Sequence, residues 1–484
     1  MPRRDNKMPK NNSELEFSKE LSAKETNIPG VIVFDLPVHG DSRGWFKENY
    51  QKEKMTKLGL PEINIVQNNI SFNADKGVTR GFHAEPWDKY ISVATGKVFG
   101  AWVDLRPGDT FGETFTTEID PSKAIFIPRG VANAFQALED KTAYTYLVNA
   151  HWSAEAQSEY TFVNLADETL NIKWPIPLEL AELSEKDKNH PRLPEVKPMT
   201  PRRTLVVGAN GQLGRALQIK FPDAEFAGHN ELDITSPDLC NVRNWNQYNT
   251  IINAAAFTAV DKAETPEGRE AAWKVNAEAV ANLAKIAIKY SNITLVQISS
   301  DYVFDGNKID HTEDEPFTPL NVYGQTKAAA DIVVSATPKH YIARTSWVVG
   351  DGNNFVKTMK SLAEKGIKPS VVNDQIGRLT FADDLANAIK HLVSTKALYG
   401  TYNVTSDGQS TSWADIAAEV YRLTGHDGND VTGVSTLEYY AGKQDIATRP
   451  LQSSLNLDKI KSTGFKPLDG LDGLKNYLNS LEEK

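Results

Sequence analysis

The stretch LVVGANGQLG, residues 205–214, decides the fold of the second half of the chain. Its apolar start predicts a buried strand, and Gly208, Gly211 and Gly214 predict a tight turn that opens a helix. The first glycine permits the turn, the second lets the backbone approach a phosphate group, and the third lets the helix pack on the strand. A helix N-terminus offers N–H donors to a pyrophosphate. The alternative is a plain glycine-rich turn, but a strand before it and a helix after it favour a dinucleotide site.

Outward from this stretch, strand-like and helix-like patterns alternate. Apolar runs at 251–254 and 295–299 predict two further buried strands, and residues 267–290, rich in Ala, Glu, Lys and Leu, predict helix. Such alternation predicts a parallel sheet with helices on both faces. For residues 203–484 we therefore predict an α/β, Rossmann-type doubly wound parallel sheet with a small substrate-binding C-terminal part.

The first half of the chain is strand-like. Short apolar runs, such as those at 98–103 and 143–148, are separated by turn residues. Many short strands at this spacing predict an all-β sandwich or barrel, which we assign to residues 26–189. Residues 1–25 are expected to form a disordered, solvated tail. Residues 190–202 contain four prolines and are expected to form an extended linker.

Composition excludes several classes of protein. The 484 residues carry a formal net charge of -10 and show no basic stripe, which argues against general nucleic-acid binding. There is no run of ~18 apolar residues for a membrane span, and the charged start lacks the apolar core of a signal peptide. The single cysteine, Cys240, excludes an intrachain disulfide. We therefore expect a soluble cytoplasmic protein.

The end of the predicted second strand is unusual for a dinucleotide fold. An acidic residue ~20 positions after the glycines often binds the ribose hydroxyls in such folds. Gly228 and His229 stand there instead, so NADH and NADPH both remain open. Asp233 and Ile234 follow and could meet the adenine. The alternative for Asp233 is an ordinary loop or helix-capping residue.

Tyr323 and Lys327 lie one helical turn apart and so project from one helix face. An ammonium group there lowers the pKa of the phenol and can hold the nicotinamide ribose. Other Tyr/Lys pairs in the chain have the same spacing, and a surface tyrosine with a solvated lysine is the alternative. The position of Ser300 favours a catalytic role for Tyr323. Ser300 follows the predicted strand at 295–298, and ligands of parallel sheets bind at the ends of such strands. Ser300 can hydrogen-bond a substrate carbonyl while Tyr323 donates a proton.

Three segments, 253–264, 299–306 and 344–347, closely resemble dTDP-4-dehydrorhamnose reductases of the extended short-chain dehydrogenase family. The resemblance runs from about residue 203 to the C-terminus and implies that Ser300, Tyr323 and Lys327 are catalytic. The candidate cofactor-binding residues are then Gly208, Asn210, Gly211, Gln212, Leu213, Gly214, Asp233, Ile234, Ala254, Ala255, Ala256, Asn276, Tyr323 and Lys327. The implied substrate-binding residues are Trp347, Asn354, Phe355, Asp374, Gln375, Gly377 and Arg449.

In the first half, His83 and Lys89 are the candidate chemical groups. Inside a concave β fold, a histidine can act as a general base and a lysine can hold an oxyanion. The segments 43–48, 67–69, 80–83 and 103–106 resemble dTDP-4-dehydrorhamnose 3,5-epimerases, a jelly-roll, cupin-like family. The resemblance covers about residues 28–193. It implies that His83 is the base, Asp187 orients it, Tyr146 is the acid on the opposite face and Lys89 steadies the enolate. The implied substrate-binding residues are Arg43, Glu48, Gln67, Asn69 and Arg80.

Three places depart from the epimerase pattern. Asn133 stands where that family has a histidine, and His151 and Trp152 stand where it usually has two tyrosines. Ala84 and Glu85 follow His83 where an aromatic residue and a glutamine are common. Epimerisation at both sugar centres, at one centre, or binding without catalysis therefore all stay open. We expect no metal site, because zinc and iron sites need three or more convergent ligands. Mg²⁺ is implied only by the resemblance to the reductases, and no carboxylate cluster in the sequence indicates a place for it.

The sequence thus predicts a fused, bifunctional enzyme of dTDP-L-rhamnose biosynthesis. Its first half carries out 3,5-epimerisation of dTDP-4-dehydro-6-deoxy-D-glucose, and its second half reduces dTDP-4-dehydro-L-rhamnose at C4 with NADH or NADPH. One alternative is a 4-ketosugar reductase with a non-catalytic or single-centre sugar-binding half, including one that acts on UDP-sugars. Another alternative is a structural scaffold that has both folds but no catalytic activity. The expected partners are the sugar nucleotide and a second copy of the chain, with neither nucleic acid nor membrane.

Overall fold

The computed structural model describes Phe17, residues 19–61 and residues 63–482. The chain divides into two compact units, one that extends to Pro201 and one that begins at Arg202. Most of the predicted tail, residues 1–25, lies outside the described residues. Its last part was predicted wrongly, since Ser22–Glu25 is a strand paired antiparallel with Ile32–Asp35. Polar residues can form such an edge strand because its stability comes from backbone hydrogen bonds.

The first unit is built mainly from short strands. Among its described residues, the α-helices are α1 (Lys52–Lys57) and α2 (Glu185–Lys188). Its strands are β1 (Ser22–Glu25), β2 (Ile32–Asp35), β3 (Val38–Asp41), β4 (Gly44–Lys47), β5 (Gln67–Asn73), β6 (Thr79–Ala84), β7 (Lys89–Thr95), β8 (Val98–Asp104), β9 (Thr114–Ile119), β10 (Lys123–Ile127), β11 (Val131–Ala137), β12 (Thr142–Val148) and β13 (Thr161–Phe162).

These strands form two antiparallel sheets, ordered β1-β2-β10-β7-β12-β5 and β13-β6-β11-β8-β9, and the hairpin β3–β4. Ile91 and Ile125 of the first sheet share one buried cluster with Trp102 and Phe135 of the second. The two sheets therefore pack face to face, as the predicted sandwich requires.

The proline-rich stretch at 190–202 is not a free linker. The backbone N–H of Asn164 donates to the carbonyl of Pro191 at 2.9 Å, and that of Met199 donates to the carbonyl of Leu105 at 2.8 Å. Val196 and Met199 are buried in a core cluster of the first unit. The linker prediction was therefore wrong up to Met199. It rested on the prolines, whereas burial of the apolar Val196 and Met199 side chains holds the segment against the first unit.

The second unit alternates strands and helices. Its strands are β14 (Arg203–Val207), β15 (Glu225–Ala227), β16 (Tyr248–Asn253), β17 (Thr294–Ser300), β18 (His340–Thr345), β19 (Val348–Val349), β20 (Ser370–Val372), β21 (Ile376–Gly377), β22 (Thr380–Phe381), β23 (Gly400–Asn403), β24 (Thr411–Ser412) and β25 (Thr432–Val434). Its helices are α3 (Gln212–Lys220), α4 (Pro266–Trp273), α5 (Ala279–Lys289), α6 (Val322–Ser335), α7 (Phe355–Glu364), α8 (Ala382–Ser394), α9 (Trp413–Leu423), α10 (Thr436–Tyr440), α11 (Asp458–Ser462) and α12 (Gly470–Glu482).

Six of these strands form one parallel sheet, ordered β15-β14-β16-β17-β18-β23. On one face Leu283 of α5 and Val334 of α6 belong to the core, and on the other face Leu217 of α3 and Ile389 of α8 do. The predicted parallel sheet with helices on both faces is therefore confirmed. The strand order reverses between β14 and β16, and this reversal opens a crevice at their carboxyl ends.

A smaller part of this unit is built from the strand pairs β19–β22, β20–β25 and β21–β24. Met359 of α7, Val420 of α9 and Leu474 of α12 lie in its separate core. Within the described part of the chain, no helix combines the length and the apolar character that crossing a membrane requires.

Candidate active sites

The glycine-rich loop after β14 packs against its surroundings too closely for side chains. A Cβ on Gly208, whose φ is +79°, would lie 2.5 Å from the backbone nitrogen of Ala255. A Cβ on Gly214 would lie 2.3 Å from the carbonyl oxygen of Gly208. At Gly211 the nearest atom would be 3.5 Å away, an ordinary van der Waals contact, so the protein's own packing does not require a glycine there. The predicted roles of the first and third glycines match this packing, and the second leaves room for a phosphate group.

Beside this loop, a crevice of about 350 Å³ lies at the carboxyl ends of β14 and β16. Gly211 lines it and precedes α3, whose first turn has free N–H groups and the positive end of the helix dipole. The predicted cofactor residues that line the crevice are Gly208, Asn210, Gly211, Ile234, Ala254, Ala255 and Ala256. Gln212 and Leu213 line the adjoining cavity. These walls fit a bound dinucleotide.

Two predicted cofactor residues have other partners. Asp233 accepts hydrogen bonds from the backbone and hydroxyl of Thr235, at 2.9 and 2.7 Å, and so has the loop-capping role that the sequence left open. Asn276 is buried in a π-helical turn, Lys274–Glu278, between α4 and α5. Its amide bonds both backbone groups of Phe257 and the hydroxyl of Thr326. Asn276 therefore holds the loop after β16 in place and does not face the crevice.

The adjoining cavity of about 600 Å³ brings the three predicted catalytic residues together. Ser300 is the last residue of β17, and Tyr323 and Lys327 lie in the first two turns of α6. The Lys327 ammonium donates to the carbonyl of Ile298 at 2.5 Å. Ser300 donates to the buried carboxylate of Asp301 at 2.9 Å. Asp301 was not predicted as a site residue, although its position directly after a predicted strand was an available signal.

Burial dominates the electrostatics of this cavity. It raises the pKa of Tyr323 to about 12, although the hydrogen bond with Ser300 acts in the opposite direction. Burial lowers the pKa of Lys327 to about 8, against the influence of Asp331, and raises that of Asp301 to about 6. The predicted lowering of the Tyr323 pKa is not observed, because the loss of solvation dominates. Tyr323 is thus protonated at neutral pH and available as an acid.

One of the predicted substrate residues lines this cavity, and a second lies against its ring. Trp347 lines it and stacks on Trp413, with ring centroids 3.8 Å apart. A Cβ on Gly377 would lie 2.9 Å from the Trp347 ring, so a glycine at 377 lets this ring keep its place.

The other predicted substrate residues have structural partners. Asn354 caps α7 and donates to the Tyr477 hydroxyl at 2.7 Å, and Phe355 packs on Trp413. The remaining contacts are those of Asp374 with Thr436, Gln375 with Thr436, and Arg449 with Asp261.

In the first unit, a cavity of about 920 Å³ holds the four predicted catalytic residues. His83 lies on β6, Lys89 begins β7, Tyr146 lies on β12 and Asp187 lies on α2. Asp187 Oδ1 is 2.8 Å from Nε2 of His83. The sandwich therefore brings together residues that are up to 104 positions apart in sequence.

A second histidine contacts the same carboxylate. His190 Nε2 lies 3.3 Å from Asp187 Oδ1, and its ring stacks on Phe162. Burial raises the pKa of Asp187, but the hydrogen bonds from His190 and His83 outweigh burial and hold it well below its usual range. Asp187 is therefore ionised and can stabilise a protonated His83. The sequence analysis placed His190 in a linker and so missed it.

Lys89 is fully buried in this cavity. Its ammonium is paired with Glu85, donates to Asn133 Oδ1 at 2.7 Å, and lies 5.3 Å from the centre of the Tyr146 ring. Burial lowers the pKa of Lys89 to about 7 and raises that of Tyr146. Asn133, which departs from the family pattern, thus helps to hold the lysine. Glu85 was not predicted as a site residue.

Of the predicted substrate residues of this half, one lines the cavity and four lie outside its lining. Arg80 lines the cavity. Arg43 and Glu48 lie at the hairpin β3–β4, where they pair with Asp41 and Lys54 on the surface. Gln67 and Asn69 lie on the edge strand β5 and hydrogen-bond each other at 2.8 Å.

Three possible metal ligands meet in the first unit. The ligand atoms of His83, Asp187 and His190 lie within 4.8 Å of one another. Asp187 Oδ1 already accepts a hydrogen bond from each ring. The absence of a resident metal here stays a prediction.

Comparisons with known proteins assign a family to each unit. A family model described as "RmlD substrate binding domain" matches residues 202–483, and one described as "dTDP-4-dehydrorhamnose 3,5-epimerase" matches residues 25–195.

Individual relatives match the two halves separately. A protein RmlC homolog of Streptococcus pyogenes serotype M6 is 55% identical over 39% of this chain and 98% of its own length. A dTDP-4-dehydrorhamnose reductase of Aggregatibacter actinomycetemcomitans is 37% identical over 57% of this chain and 97% of its own. The crystal structure of dTDP-4-dehydrorhamnose reductase from Bacillus anthracis in complex with NADP is 35% identical, with a TM-score of 0.53, and covers 58% of this chain and 100% of that one.

Proposed function

Because the chain belongs to the dTDP-4-dehydrorhamnose 3,5-epimerase family over residues 25–195 and to the dTDP-4-dehydrorhamnose reductase family over residues 202–483, we propose that it is a bifunctional enzyme of dTDP-L-rhamnose biosynthesis. One observation carries the proposal. A single chain holds both the His83–Asp187 pair in one cavity and Ser300, Tyr323 and Lys327 in another. The first unit is a jelly-roll of the cupin type in this proposal, and the second is a Rossmann-type domain.

At the epimerase site, the residues move a proton between carbon and side chains. His83 removes the proton next to the C4 ketone, and the ionised Asp187 stabilises the resulting imidazolium. Lys89 donates to the enolate oxygen. Tyr146 returns a proton to the opposite face of the same carbon, which inverts it. The contact between the Lys89 ammonium and the Tyr146 ring supports this, since both groups then reach the same part of the sugar.

At the reductase site, the residues complete the reduction of C4. Reduced nicotinamide, NADH or NADPH, supplies the hydride when it is bound in the crevice. Ser300 hydrogen-bonds the carbonyl oxygen, and Tyr323 gives its proton to the alkoxide that forms there. Lys327 holds the ribose and restores the charge balance beside the phenolate. The high pKa of Tyr323 supports its role as the acid.

The residues fit the nicotinamide cofactor better than they fit Mg²⁺. Side chains at Gly208 and Gly214 would collide with the backbone around the loop proposed to cradle the pyrophosphate. Among the described residues of the second unit, no three carboxylate, imidazole or thiol groups converge on one point. We therefore assign no step to Mg²⁺.

We also propose that the enzyme is a cytoplasmic homodimer. Ile70 and Phe72 are 67% and 61% exposed on the edge strand β5, and Phe46 on the hairpin β3–β4 is 66% exposed. Exposed apolar groups along a sheet edge are typical of a pairing surface. A single free cysteine suits a reducing compartment.

The test uses the full chain with dTDP-4-dehydro-6-deoxy-D-glucose in deuterated water. Without nicotinamide, we expect deuterium at C3 and C5. With NADH or NADPH added, we expect oxidation of the cofactor and formation of dTDP-L-rhamnose. Tyr323→Phe is expected to lower the reduction rate ~10²-fold or more and to leave the exchange intact, because it removes only the acid of the second site.

Each failure identifies a different alternative. Reduction without deuterium uptake would indicate a reductase with a non-catalytic first unit, and deuterium at one carbon would indicate a single-centre epimerase. If the UDP-linked ketosugar were turned over as fast as the dTDP-linked one or faster, the assignment of the dTDP-sugar as the substrate would be wrong. Unchanged reduction by Tyr323→Phe would refute the assigned acid.

A further inference from the structure

Tyr323 needs a new proton after every reduction. Once it has given its proton to the alkoxide, it is a phenolate that must be protonated again before the next turnover. Tyr323 hydrogen-bonds Ser300, and Ser300 donates to Asp301 at 2.9 Å. These contacts lead from the tyrosine to a carboxylate that is only 3% exposed.

Two buried polar atoms in this region have no hydrogen-bond partner among the residues that the structure describes. They are Oδ2 of Asp301 and Nε2 of His311. Burial of a polar atom without a partner is destabilising. A phenyl ring at position 311 would avoid this cost and would still pack on Phe304, since the two rings are parallel within 2° and 4.6 Å apart. Packing alone therefore does not explain a histidine at this position.

The same neighbours hold Asp301 and His311. Phe304, whose ring stacks on His311, donates its N–H to the carbonyl of Asp301 at 3.0 Å. Ser453 hydrogen-bonds the Asp301 carboxylate, and the carbonyl of the next residue, Ser454, accepts the N–H of His311 at 2.9 Å. Burial raises the pKa of Asp301, and the charge of a protonated His311 acts against this rise.

The other nitrogen of the His311 ring leads towards the surface. Its Nδ1 lies 3.0 Å from Oε2 of Glu315, and this carboxylate oxygen lies 3.4 Å from the exposed ammonium of Lys308. A carboxylate at this distance favours the protonated imidazole. The polar groups that follow Tyr323 towards the surface, which we call the relay, are Ser300, Asp301, His311 and Glu315.

We propose that His311 supplies the proton that returns to Tyr323 and is itself protonated again from solvent beside Glu315. The inference rests on the proposed reductase function and deepens it. In this proposal one water molecule bonds both Oδ2 of Asp301 and Nε2 of His311, because buried polar atoms of this kind commonly bind ordered water.

In each turnover one proton moves one place along the relay. The Ser300 hydroxyl gives its proton to the Tyr323 phenolate, and Asp301 in its carboxyl form gives a proton to Ser300. The His311 imidazolium gives its Nε2 proton through the water to Asp301. Each transfer breaks one O–H or N–H bond and forms one O–H bond. A solvent proton then restores the imidazolium, so one proton is taken up for each product hydroxyl that forms.

The test follows oxidation of the nicotinamide by the full chain in rapid mixing, after the protein has been incubated with the ketosugar. In His311→Phe the first turnover should keep its rate, because Tyr323 begins protonated. Later turnovers should be slowed ~10-fold or more, so that one nicotinamide per site is oxidised in an initial burst. Imidazole in the buffer should restore part of the later rate, because it is an external proton donor.

A second variant and a matched control accompany this test. Glu315→Gln keeps the ring at position 311 and should show the same burst with a smaller loss of the later rate, so it carries the test if His311→Phe does not fold. His391→Phe makes the same exchange at a half-buried histidine on α8 that lies beside Phe465. This control should show no burst.

Two results would overturn the inference. Equal slowing of the first and later turnovers in His311→Phe would show a structural role for the histidine. Unchanged turnover in both His311→Phe and Glu315→Gln would show that the proton comes from elsewhere, such as the Lys327 side of the cavity. Failure of the unchanged protein to oxidise any nicotinamide would instead contradict the proposed function.

Discussion

At the scale of single residues, Lys89 shows how burial and one neighbour set the pH range in which a proposed catalytic group carries its charge. Burial lowers the pKa of Lys89 to about 7, while the paired Glu85 carboxylate favours the ammonium form. Only the ammonium form can donate to an enolate oxygen. The rate of deuterium exchange into the ketosugar should therefore fall as the pH rises past the pKa of this lysine.

Glu85→Gln tests this dependence. Loss of the carboxylate lowers the pKa of Lys89 further, so the alkaline limb of the exchange rate should move to lower pH, and exchange at pH 8 should slow ~10-fold. The measurement is exchange rate against pH, monitored by NMR. Glu118→Gln, on the exposed face of β9, removes the same charge far from Lys89 in the fold and should leave the profile unchanged. A superimposable profile for Glu85→Gln would show that the pair has no such role.

Residue by residue, spacing and neighbours predicted the three reductase groups, whereas Tyr146 and Asp187 were implied only by the resemblance to the epimerases. Ser300, Tyr323 and Lys327 share one cavity, as do His83, Lys89, Tyr146 and Asp187. His190 and Glu85 escaped prediction because their contacts with Asp187 and Lys89 depend on how the chain folds. Asn354 and Arg449 were predicted from resemblance to face the sugar, and the structure gives both of them protein partners.

At the scale of elements, the π-helical turn Lys274–Glu278 holds in place the loop after β16, whose alanines line the dinucleotide crevice. Its Asn276 bonds Phe257 N–H at 2.8 Å and Phe257 C=O at 3.0 Å, just after the alanines that line the crevice. A wider helical turn of this kind often occurs at functional sites.

Asn276→Ala should destabilise the second unit and its crevice together. It leaves two buried backbone groups of Phe257 without partners, which costs about 2–4 kcal/mol. Thermal unfolding followed by calorimetry should show a lower Tm for the second unit, and NADH binding should weaken. Asn282→Ala on α5 is the comparison, since its two hydrogen bonds are both 3.4 Å long. Equal effects of the two substitutions would argue against the special role of Asn276.

Periodicity explains which elements could be predicted. The alternation of strand and helix in the second half led directly to its parallel sheet, and the recurrent short strands led to the sandwich. Strand β1 could not be predicted because its polar sequence carries no core pattern, and its pairing depends on the free edge of β2. The segment at 190–199 was predicted as a linker because of its prolines. Its two buried apolar residues, Val196 and Met199, are too few to form a recognisable core pattern in the sequence.

At the scale of the whole molecule, each cavity is complete within its own unit as far as its lining residues show. The intermediate ketosugar can therefore leave one protein molecule and enter another. We expect two inactive variants, His83→Asn and Tyr323→Phe, to restore the overall reaction when they are mixed.

The measurement is rhamnose nucleotide formed from the unepimerised ketosugar by the equimolar mixture. Each variant alone should be slowed ~10²-fold or more, because each lacks a general acid or base. The mixture should approach about half the rate of the unchanged protein at equal total concentration. A mixture as slow as its components would mean that the intermediate does not exchange between molecules.

The packing of residues 190–199 against the first unit bears on any attempt to separate the two enzymes. A cloning junction or protease site placed among these prolines would remove Met199 and its neighbours from the core they fill, and a cut before residue 190 would also take His190 away from Asp187. The gene should be divided between Pro201 and Arg202. An isolated epimerase that ends there would keep Met199 in its core and His190 beside Asp187.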